Sequence, residues 1–340
     1  MADDLWPAVH GYLTTAPTSE FVQQPVEKVA HWTGEENLLW RVACRGREAV
    51  VKLFLDAGQV RSRRQFDAQA LFAPLGLAPA PLWQDRIPEG LPRPLMVYEW
   101  SEGAALAAGE NLPDLALAVA TVHRTEPSEL RRFSPHPINL DYFWRIEQQS
   151  RSLVTDWLMT TPCTGLAALY TRLGEAAEQV VQTGLPQWRD APPTVIHGDL
   201  RLQNVLVGRK GLLLLDWEMA GLGDPAYEIA DFLQRHRLHI APEALDAWLR
   251  LYLDAVDMPA LAARIELYSR VLPFHAVNYL LMGLRQHTQP APEPGLRDAL
   301  PFLIETLAAT LALAADRLGL ALPDSAEPAA DLYRWLNEQD

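Results

Sequence analysis

The order of hydrophobic and polar positions predicts a strand-rich first hundred residues. Short apolar runs of the kind that form strands occupy residues 29–42, 49–55, 82–84 and 94–100. The connections between them are rich in Gly and Pro, the residues that interrupt regular structure. One helix-like segment, residues 59–73, lies between the second and third of these runs. We therefore expect strands interrupted by one helix in this part of the chain.

From Asn111 onward the apolar positions recur mainly at helical spacing. Leu115, Val119 and Val122 follow this spacing in a segment that carries Pro113 in its first turn. Further helices are predicted within 138–185 and over residues 225–238, 242–256, 258–285, 296–318 and 326–338. The second part of the chain is therefore expected to be mainly helical.

The length of the chain favours two lobes. A chain of 340 residues exceeds the usual size of a single hydrophobic core. Strand-like sequence gives way to helical sequence near residue 100, so we expect one domain over residues 1–100 and a second over residues 101–340. An apolar content of 49% is sufficient for packed interiors in both.

Charge and cysteine content narrow the possible partners. The formal net charge of −14 argues against nucleic acid and anionic membrane, because phosphate backbones are bound mainly through Lys and Arg. Two cysteines are too few for a disulfide scaffold, and the first residues lack the order of a signal peptide. The most apolar stretch, residues 271–284, is interrupted by His275 and Asn278, which predicts a buried helix. We expect a cytoplasmic protein without a membrane partner.

A second pair of apolar runs, within residues 205–215, predicts a β-hairpin with polar residues at its open end. The runs flank a four-residue loop with Gly at each end. If Val207 pairs with Leu212, antiparallel pairing places Asn204 opposite Leu215, and Asp216 is the next residue. Amide and carboxylate oxygens suit a hard cation such as Mg²⁺, which fills its other positions with water and phosphate.

Asp199 lies five residues before Asn204, on the loop that leads into this hairpin. From there it can face a metal-bound phosphate without being a ligand, which is where a base that accepts a hydroxyl proton stands. The same residues also fit a structural hairpin with solvated acids at its open end. The spacing by itself leaves both interpretations open.

Lys52 lies inside an apolar, β-branched strand. A buried lysine is costly unless its amine meets an anionic partner. In kinase-like folds the partners are the phosphates of the nucleotide and an acid on a helix. An edge-strand lysine that points to water is the alternative.

The ordered set of these residues resembles a known family. His197-Gly198-Asp199, Asn204 five residues later, an apolar strand pair and Asp216-Trp217-Glu218 are similar to the motifs of the aminoglycoside phosphotransferase and choline kinase family. The following segment, residues 221–232, agrees with the family as well, although Glu228 stands where Asp is more usual.

The resemblance implies a fold, a reaction and a set of roles. The fold would be α+β and protein-kinase-like, with an N-terminal antiparallel sheet lobe that binds nucleotide and a helical C-terminal lobe that holds the acceptor. The reaction would move the terminal phosphoryl group of ATP or GTP to a hydroxyl of a small molecule. Asp199 would be the base, Asn204 and Asp216 would hold Mg²⁺, and Lys52 would fix the phosphates. His197 is expected to anchor the loop.

The resemblance also implies contacts to the nucleotide. The turn that contains Gly34 occupies the place of a phosphate-covering loop, although the turn taken alone fits an ordinary hairpin better. Met96 would lie deep in the cleft, and the backbone from Glu99 to Ser101 would contact the nucleobase. A plain edge strand accounts for the same letters.

The acid that orients Lys52 is a departure from the family, whose members usually carry Glu on the helix after the lysine strand. Residues 59–73 contain no Glu. We predict Asp67 for this role, because Ala70 and Leu71 share its face of the helix. The competing interpretation pairs Asp67 only with arginines of its own helix.

Other functions remain to be weighed. A nucleotide-binding regulatory relative with little activity is the main alternative. A metal-dependent hydrolase that uses His197 and Asp199 lacks further ligands, and a protein kinase lacks its usual motifs and activation loop. The acceptor, an amino alcohol, an aminoglycoside or a sugar, is not identified, because the acids of the helical part equally fit solvated surfaces. The oligomeric state is also open.

Overall fold

The computed structural model describes residues 2–34, 36–55, 59–209, 211–288, 296–322 and 326–338. The strands are β1 (Glu27–Thr33), β2 (Asn37–Cys44), β3 (Arg47–Phe54), β4 (Pro81–Asp85), β5 (Leu95–Glu99), β6 (Ala104–Ala105), β7 (Thr194–Ile196), β8 (Val205–Gly208), β9 (Gly211–Leu214) and β10 (Gly221–Gly223). The helices are α1 (Ala2–Thr15), α2 (Gln59–Phe72), α3 (Leu112–His123), α4 (Leu140–Leu158), α5 (Thr164–Trp188), α6 (Pro225–His236), α7 (Pro242–Val256), α8 (Leu261–Arg285), α9 (Leu296–Arg317) and α10 (Ala326–Asn337).

The elements fall into two compact units that are not continuous in sequence. The first comprises Met1–His136, Thr194–Pro225 and Arg237–Asp257, and the second comprises Pro137–Pro193, Ala226–His236 and Met258–Asp340. These units are defined by packing, whereas the expected lobes were defined by the change from strands to helices. The division at residue 100 stays a prediction.

The first unit is built on an antiparallel sheet in the order β1-β2-β3-β5-β4. The central strand β3 carries Lys52, which pairs with Leu39 of β2 and with Met96 of β5. Side chains on one face of the sheet pack against the apolar side of α1, where Val9 and Leu13 are fully buried. The expected antiparallel sheet is therefore present, and it holds Lys52 at its centre.

Two smaller sheets complete the site-bearing part of this unit. The hairpin of β8 and β9 has the predicted register, with Val207 paired to Leu212. Beyond the strand ends, the N–H of Leu215 donates to the carbonyl oxygen of Asn204 at 2.7 Å. Strand β7 pairs antiparallel with β10, which fixes the loop that follows Ile196. Lys210, the third residue of the four-residue hairpin loop, lies outside the described residues.

The second unit is helical. Helix α8 packs against α4, α5 and α9, and α10 packs against α9 and α5. The predicted segments 258–285, 296–318 and 326–338 agree with α8 to α10 to within three residues at each end, and the predicted segment 242–256 agrees with α7 of the first unit. Together with the antiparallel sheet, this confirms the α+β class.

One helix among the described residues, within Asp298–Arg317, is long and apolar enough to cross a membrane by length and composition alone. Core helices of soluble proteins meet the same criterion. The expectation of no membrane partner stays a prediction.

A buried polar network lies between α4, α5 and α8 of the second unit. Glu147 is 2% exposed, and its carboxylate accepts a hydrogen bond from Asn278 Nδ2 at 2.7 Å and contacts His275 Nδ1 at 2.6 Å. Tyr170 donates to Asn278 Oδ1 at 2.5 Å. Burial lowers the pKa of His275, but the hydrogen bond and charge of Glu147 outweigh it, so the pKa of His275 is raised.

We expect a truncation pair to report the sheet core. Val42 of β2 is fully buried, whereas Val29 of β1 is 48% exposed. Val42→Ala should lower the free energy of unfolding by about 2 kcal/mol, because two methyl groups leave the core and a cavity remains. Val29→Ala should change it by under about 0.5 kcal/mol. Urea unfolding measures both, and equal losses would contradict the assigned core.

The network of the second unit should make stability depend on pH. Because the folded pKa of His275 lies above its unfolded value of about 6.5, the pair with Glu147 stabilises fully below that pH. This stabilisation is lost as the pH rises through the folded pKa. Thermal unfolding of the native protein should show the loss, and His275→Gln should show a smaller one. A His275→Gln variant with an unchanged pH profile would contradict this role of His275.

Candidate active site

Lys52 lies at the centre of the candidate site and is bonded on three sides. Its Nζ donates to Asp216 Oδ1 at 2.6 Å, to Glu218 Oε2 at 2.9 Å and to Gln65 Oε1 at 2.8 Å. Lys52 is only 2% exposed. The expected anionic environment is present, and the alternative of an edge lysine that points to water is wrong.

The charges around Lys52 explain how an ammonium group is buried here. Burial by itself lowers the pKa of Lys52, but the carboxylates of Asp216 and Glu218 outweigh it, so the pKa is raised well above its ordinary value. Burial raises the pKa of Asp216, and the charge of Lys52 more than offsets this, so the pKa of Asp216 is lowered. Each group thus keeps the other ionised.

The prediction that Asp67 orients Lys52 was wrong. The Asp67 side chain is 36% exposed and pairs with Arg132 at 3.2 Å and with Arg63 at 3.7 Å. Helix α2 turns a polar face inward instead, and the contact to Lys52 comes from Gln65, which is 1% exposed. The competing interpretation, an acid paired with arginine of its own helix, is closer to what is found, with Arg132 as an additional partner.

The inward face of α2 differs from the face that apolar periodicity indicated. Its buried residues recur at helical spacing, and they are Ser62, Gln65, Ala68, Gln69 and Phe72. The apolar residues used to orient the helix, Ala70 and Leu71, are exposed and half-buried. Gln65 faces inward to meet the buried Lys52, and an inward polar residue could not be inferred from apolar periodicity.

Asn204 and Asp199 are held together at the open end of the hairpin. Asn204 Nδ2 donates to the Asp199 backbone oxygen at 3.0 Å and to Asp199 Oδ2 at 2.7 Å. The amide oxygen of Asn204 is therefore turned away from Asp199. Arg201 also donates to Asp199 Oδ2, through Nε at 2.9 Å and Nη2 at 2.5 Å.

The loop before the hairpin is anchored by His197, as expected. His197 is 1% exposed, and its Nδ1 accepts the N–H of Asp199 at 3.2 Å. Its Nε2 lies 2.9 Å from the carbonyl oxygen of Leu215 and must carry the proton that is donated there. This contact joins the Asp199 loop to the residue before Asp216. Asp216 itself has a left-handed backbone with φ of 61°, the kind of strain found at functional sites.

These side chains open onto one cavity of about 600 Å³. Its lining includes Lys52, Asp199, Asn204 and Asp216, and also Gly34, Glu36, Arg61, Tyr98, Arg201 and Glu218. Among the described residues, no group of three or more His, Cys, Asp and Glu could hold a metal ion. A cation at this place would need oxygen ligands from a bound phosphate in addition to Asn204 and Asp216.

The segment predicted to contact the nucleobase, Glu99 to Ser101, lines a second, apolar cavity of about 230 Å³. Glu99 and Ser101 lie on its wall with Trp32 and Trp100, whose rings stack with centroids 5.9 Å apart. Leu39, Tyr98 and Leu215 line this cavity and also the larger one.

Met96 and the backbone of β5 are more enclosed than expected. Met96 is fully buried, and the N–H of Glu99 donates to the carbonyl oxygen of Ala80 at 2.9 Å. The N–H of Trp100 likewise donates to Glu48. The N–H groups of Glu99 and Trp100 are therefore already bonded within the protein, and the roles of Met96, Glu99 and Ser101 stay predictions.

A comparison with protein families bears on the whole arrangement. The sequence model of the phosphotransferase enzyme family matches residues 29–267, more than half of the chain. The chain belongs to the phosphotransferase enzyme family. This confirms the family that the motifs indicated.

The sequence similarity to a curated protein covers a short segment of this chain. Protein LicA of Haemophilus influenzae is 34% identical over 61 residues, which are 18% of this chain and 22% of LicA. The aligned part thus spans about a fifth of that curated relative.

Solved structures are similar over nearly the full chain. A choline/ethanolamine kinase family protein from Mesorhizobium loti has a TM-score of 0.60 at 17% identity, over 98% of this chain and 100% of that one. APH(2″)-IIIa, solved with GDP and kanamycin, has a TM-score of 0.54 at 17% identity, over 91% and 99%. At these identities the likeness establishes the expected protein-kinase-like fold alone.

We expect the Asp199 loop to depend on glycine at position 198. Gly198 has φ of +84°, and a Cβ there would lie 2.3 Å from the carbonyl oxygen of Met219. Gly198→Ala should therefore lower the free energy of unfolding by at least about 2 kcal/mol. Gly11→Ala is the matched control, since a Cβ meets nothing within 4 Å on helix α1, and it should stabilise by about 0.5 kcal/mol. Thermal unfolding compares them, and a neutral Gly198→Ala would contradict the tight packing.

Proposed function

We propose that this chain transfers the terminal phosphoryl group of ATP or GTP to a hydroxyl group of a small molecule. The observation that carries the proposal is the convergence of Lys52, Asp199, Asn204 and Asp216 on one cavity. Phosphoryl transfer proceeds through a loose transition state, so an enzyme mainly positions groups and neutralises charge. A lysine, a base and two oxygen ligands are the groups this reaction requires.

Asp199 is the proposed base. Its Oδ2 accepts three N–H groups, two from Arg201 and one from Asn204, and this leaves Oδ1 for the acceptor hydroxyl. As the hydroxyl oxygen bonds to the terminal phosphorus and the bond to the departing nucleoside diphosphate breaks, Asp199 takes the hydroxyl proton. The contacts to Arg201 and Asn204 keep the carboxylate in place meanwhile.

The donor set fits a magnesium ion. Asn204 presents its amide oxygen because its nitrogen is bound by Asp199, and Asp216 is a carboxylate that stays ionised beside Lys52. Mg²⁺ prefers one or two such oxygens together with phosphate and water. When bound, the ion would neutralise charge on the phosphates. Lys52 would add a fixed positive charge to the same cavity.

The acceptor and the nucleotide are proposed by class only. The apolar cavity beside Glu99 and Ser101 offers stacking surface from Trp32 and Trp100, which suits a purine of either nucleotide. The similar structures carry names of choline, ethanolamine and aminoglycoside kinases, which supports an amino alcohol or an aminoglycoside as the first acceptors to test, with sugars next. Free, buried Cys44 and Cys163 agree with the proposed cytoplasmic location.

A two-step experiment tests the proposal. Thermal unfolding with ATP or GTP and Mg²⁺ should show nucleotide-dependent stabilisation. Formation of nucleoside diphosphate should then depend on one acceptor from a panel of amino alcohols, aminoglycosides and sugars. Stabilisation by nucleotide without transfer to any acceptor would favour a regulatory nucleotide-binding protein instead.

The two aspartates should fail in different ways. Asp199→Asn should keep the affinity for Mg²⁺ and nucleotide and lower kcat by about 10²-fold to 10⁴-fold, because only the proton acceptor is lost. Asp216→Asn should weaken the affinity for the Mg²⁺-nucleotide complex itself by about tenfold or more, since a charged ligand is removed. Isothermal titration with the nucleotide separates the cases.

Asp67→Asn is the control for this pair, because Asp67 pairs with Arg132 and Arg63 outside the cavity. It should leave nucleotide affinity and kcat unchanged. Equal nucleotide affinities in the Asp199 and Asp216 variants would rule out the proposed division of roles.

A further inference from the structure

Glu218 is a buried acid in the cavity to which the motif assigned no role. It lies on the short turn after Asp216 and is 6% exposed. Its Oε2 accepts hydrogen bonds from Lys52 Nζ at 2.9 Å and from Asn37 Nδ2 at 3.2 Å. Its Oε1 accepts from Arg61 Nη1 at 3.2 Å. A carboxylate with this many donors is held in one orientation.

The helix that usually supplies an acid to the lysine supplies a neutral side chain here. Gln65 of α2 accepts from Lys52 at 2.8 Å, but an amide oxygen brings no negative charge to balance the ammonium. Asp67, the acid of the same helix, pairs with Arg132 and Arg63 instead. The compensating charge must therefore come from another element.

Asp216 cannot serve this purpose throughout the reaction. Under the proposed function its carboxylate is a ligand of the cation, so the cation competes with Lys52 for the same oxygens. A lysine paired with Asp216 alone would then lose its anionic partner while still enclosed by the sheet. Glu218 is the other carboxylate bonded to Lys52, whereas Gln65, which also accepts a hydrogen bond from Lys52, is neutral.

Glu218 also connects the elements that surround the lysine. Asn37 begins strand β2, directly after the turn that contains Gly34, and Arg61 lies in the first turn of α2. Arg61 also contacts Glu36, which lies in the turn that contains Gly34. One carboxylate thus fixes the lysine strand, the helix and the turn relative to one another within the first unit.

We propose that Glu218 is the positioning residue that orients Lys52 toward the phosphates, in place of a helix acid, and that Gln65 is a neutral partner of Lys52. The inference rests on the proposed function for the phosphates that Lys52 would meet. The charge is supplied from the loop after the metal-binding aspartate, so it stays with Lys52 when Asp216 turns to the cation.

Moving the charge back to the helix tests the proposal. Glu218→Gln should raise the KM for nucleotide by about tenfold or more and leave the KM for the acceptor unchanged, because a charge-assisted hydrogen bond to Lys52 is lost. Gln65→Glu puts a carboxylate oxygen where the amide oxygen now meets Lys52. The double variant Glu218→Gln with Gln65→Glu should therefore recover the nucleotide KM to within about threefold of the native value.

Unfolding without substrates gives an independent readout. Glu218→Gln should lower Tm, and Gln65→Glu added to it should restore most of the loss, because the buried ammonium regains a second carboxylate. Glu129→Gln removes the same group from an exposed position of the first unit and should leave Tm and both KM values unchanged.

The outcomes separate this inference from the proposed function. If neither the native protein nor any variant transfers phosphate but the Tm pattern holds, the proposed function fails and Glu218 remains the partner of Lys52. If transfer is observed and Gln65→Glu rescues neither the KM nor the Tm of Glu218→Gln, the inference is overturned. A double variant that does not fold also counts against it, since the relocated charge should stabilise Lys52.

Discussion

The site depends on one buried ammonium group. Lys52 sits in the middle strand of the sheet and is 2% exposed, so its charge must be balanced inside the protein. Two elements far apart in sequence meet this need: helix α2 through Gln65, and the turn after β9 through Asp216 and Glu218. The same contacts that keep the lysine charged bring Asp216, the proposed metal ligand, to the wall of the cavity. The need to balance this one charge thus places Asp216 and Glu218 in the cavity.

A second constraint is the register of the hairpin of β8 and β9. Because Val207 pairs with Leu212, the backbone of Asn204 receives the N–H of Leu215, and Asp216 follows at once. His197, on the preceding loop, bonds the carbonyl oxygen of the same residue, Leu215. Asn204, Asp216 and Asp199, the proposed base, are thus positioned by hydrogen bonds in which backbone groups take part.

The surroundings of Lys52 also show that a buried charge can be balanced by a different element than the resemblance indicated. Electrostatic compensation requires a negative charge within a few ångströms and does not specify the element that carries it. Here the helix offers Gln65, and the charge comes from Glu218, two residues beyond Asp216. Resemblance therefore predicted that Lys52 has an acidic partner, but it directed attention to the wrong element. The error followed from transferring a position instead of a physical requirement.

The sequence by itself determined the elements, the hairpin register and the residues of the motif, because apolar periodicity, turn residues and short-range pairing are local properties. It also determined the family, since the spacing from His197 to Asp216 survives in this chain. Only the tertiary structure decided which face of α2 turns inward, that Asp67 pairs with Arg132, and that the N–H of Glu99 is taken by Ala80. Those outcomes depend on charges and carbonyl groups that come from distant segments, and no local pattern records which of them will meet.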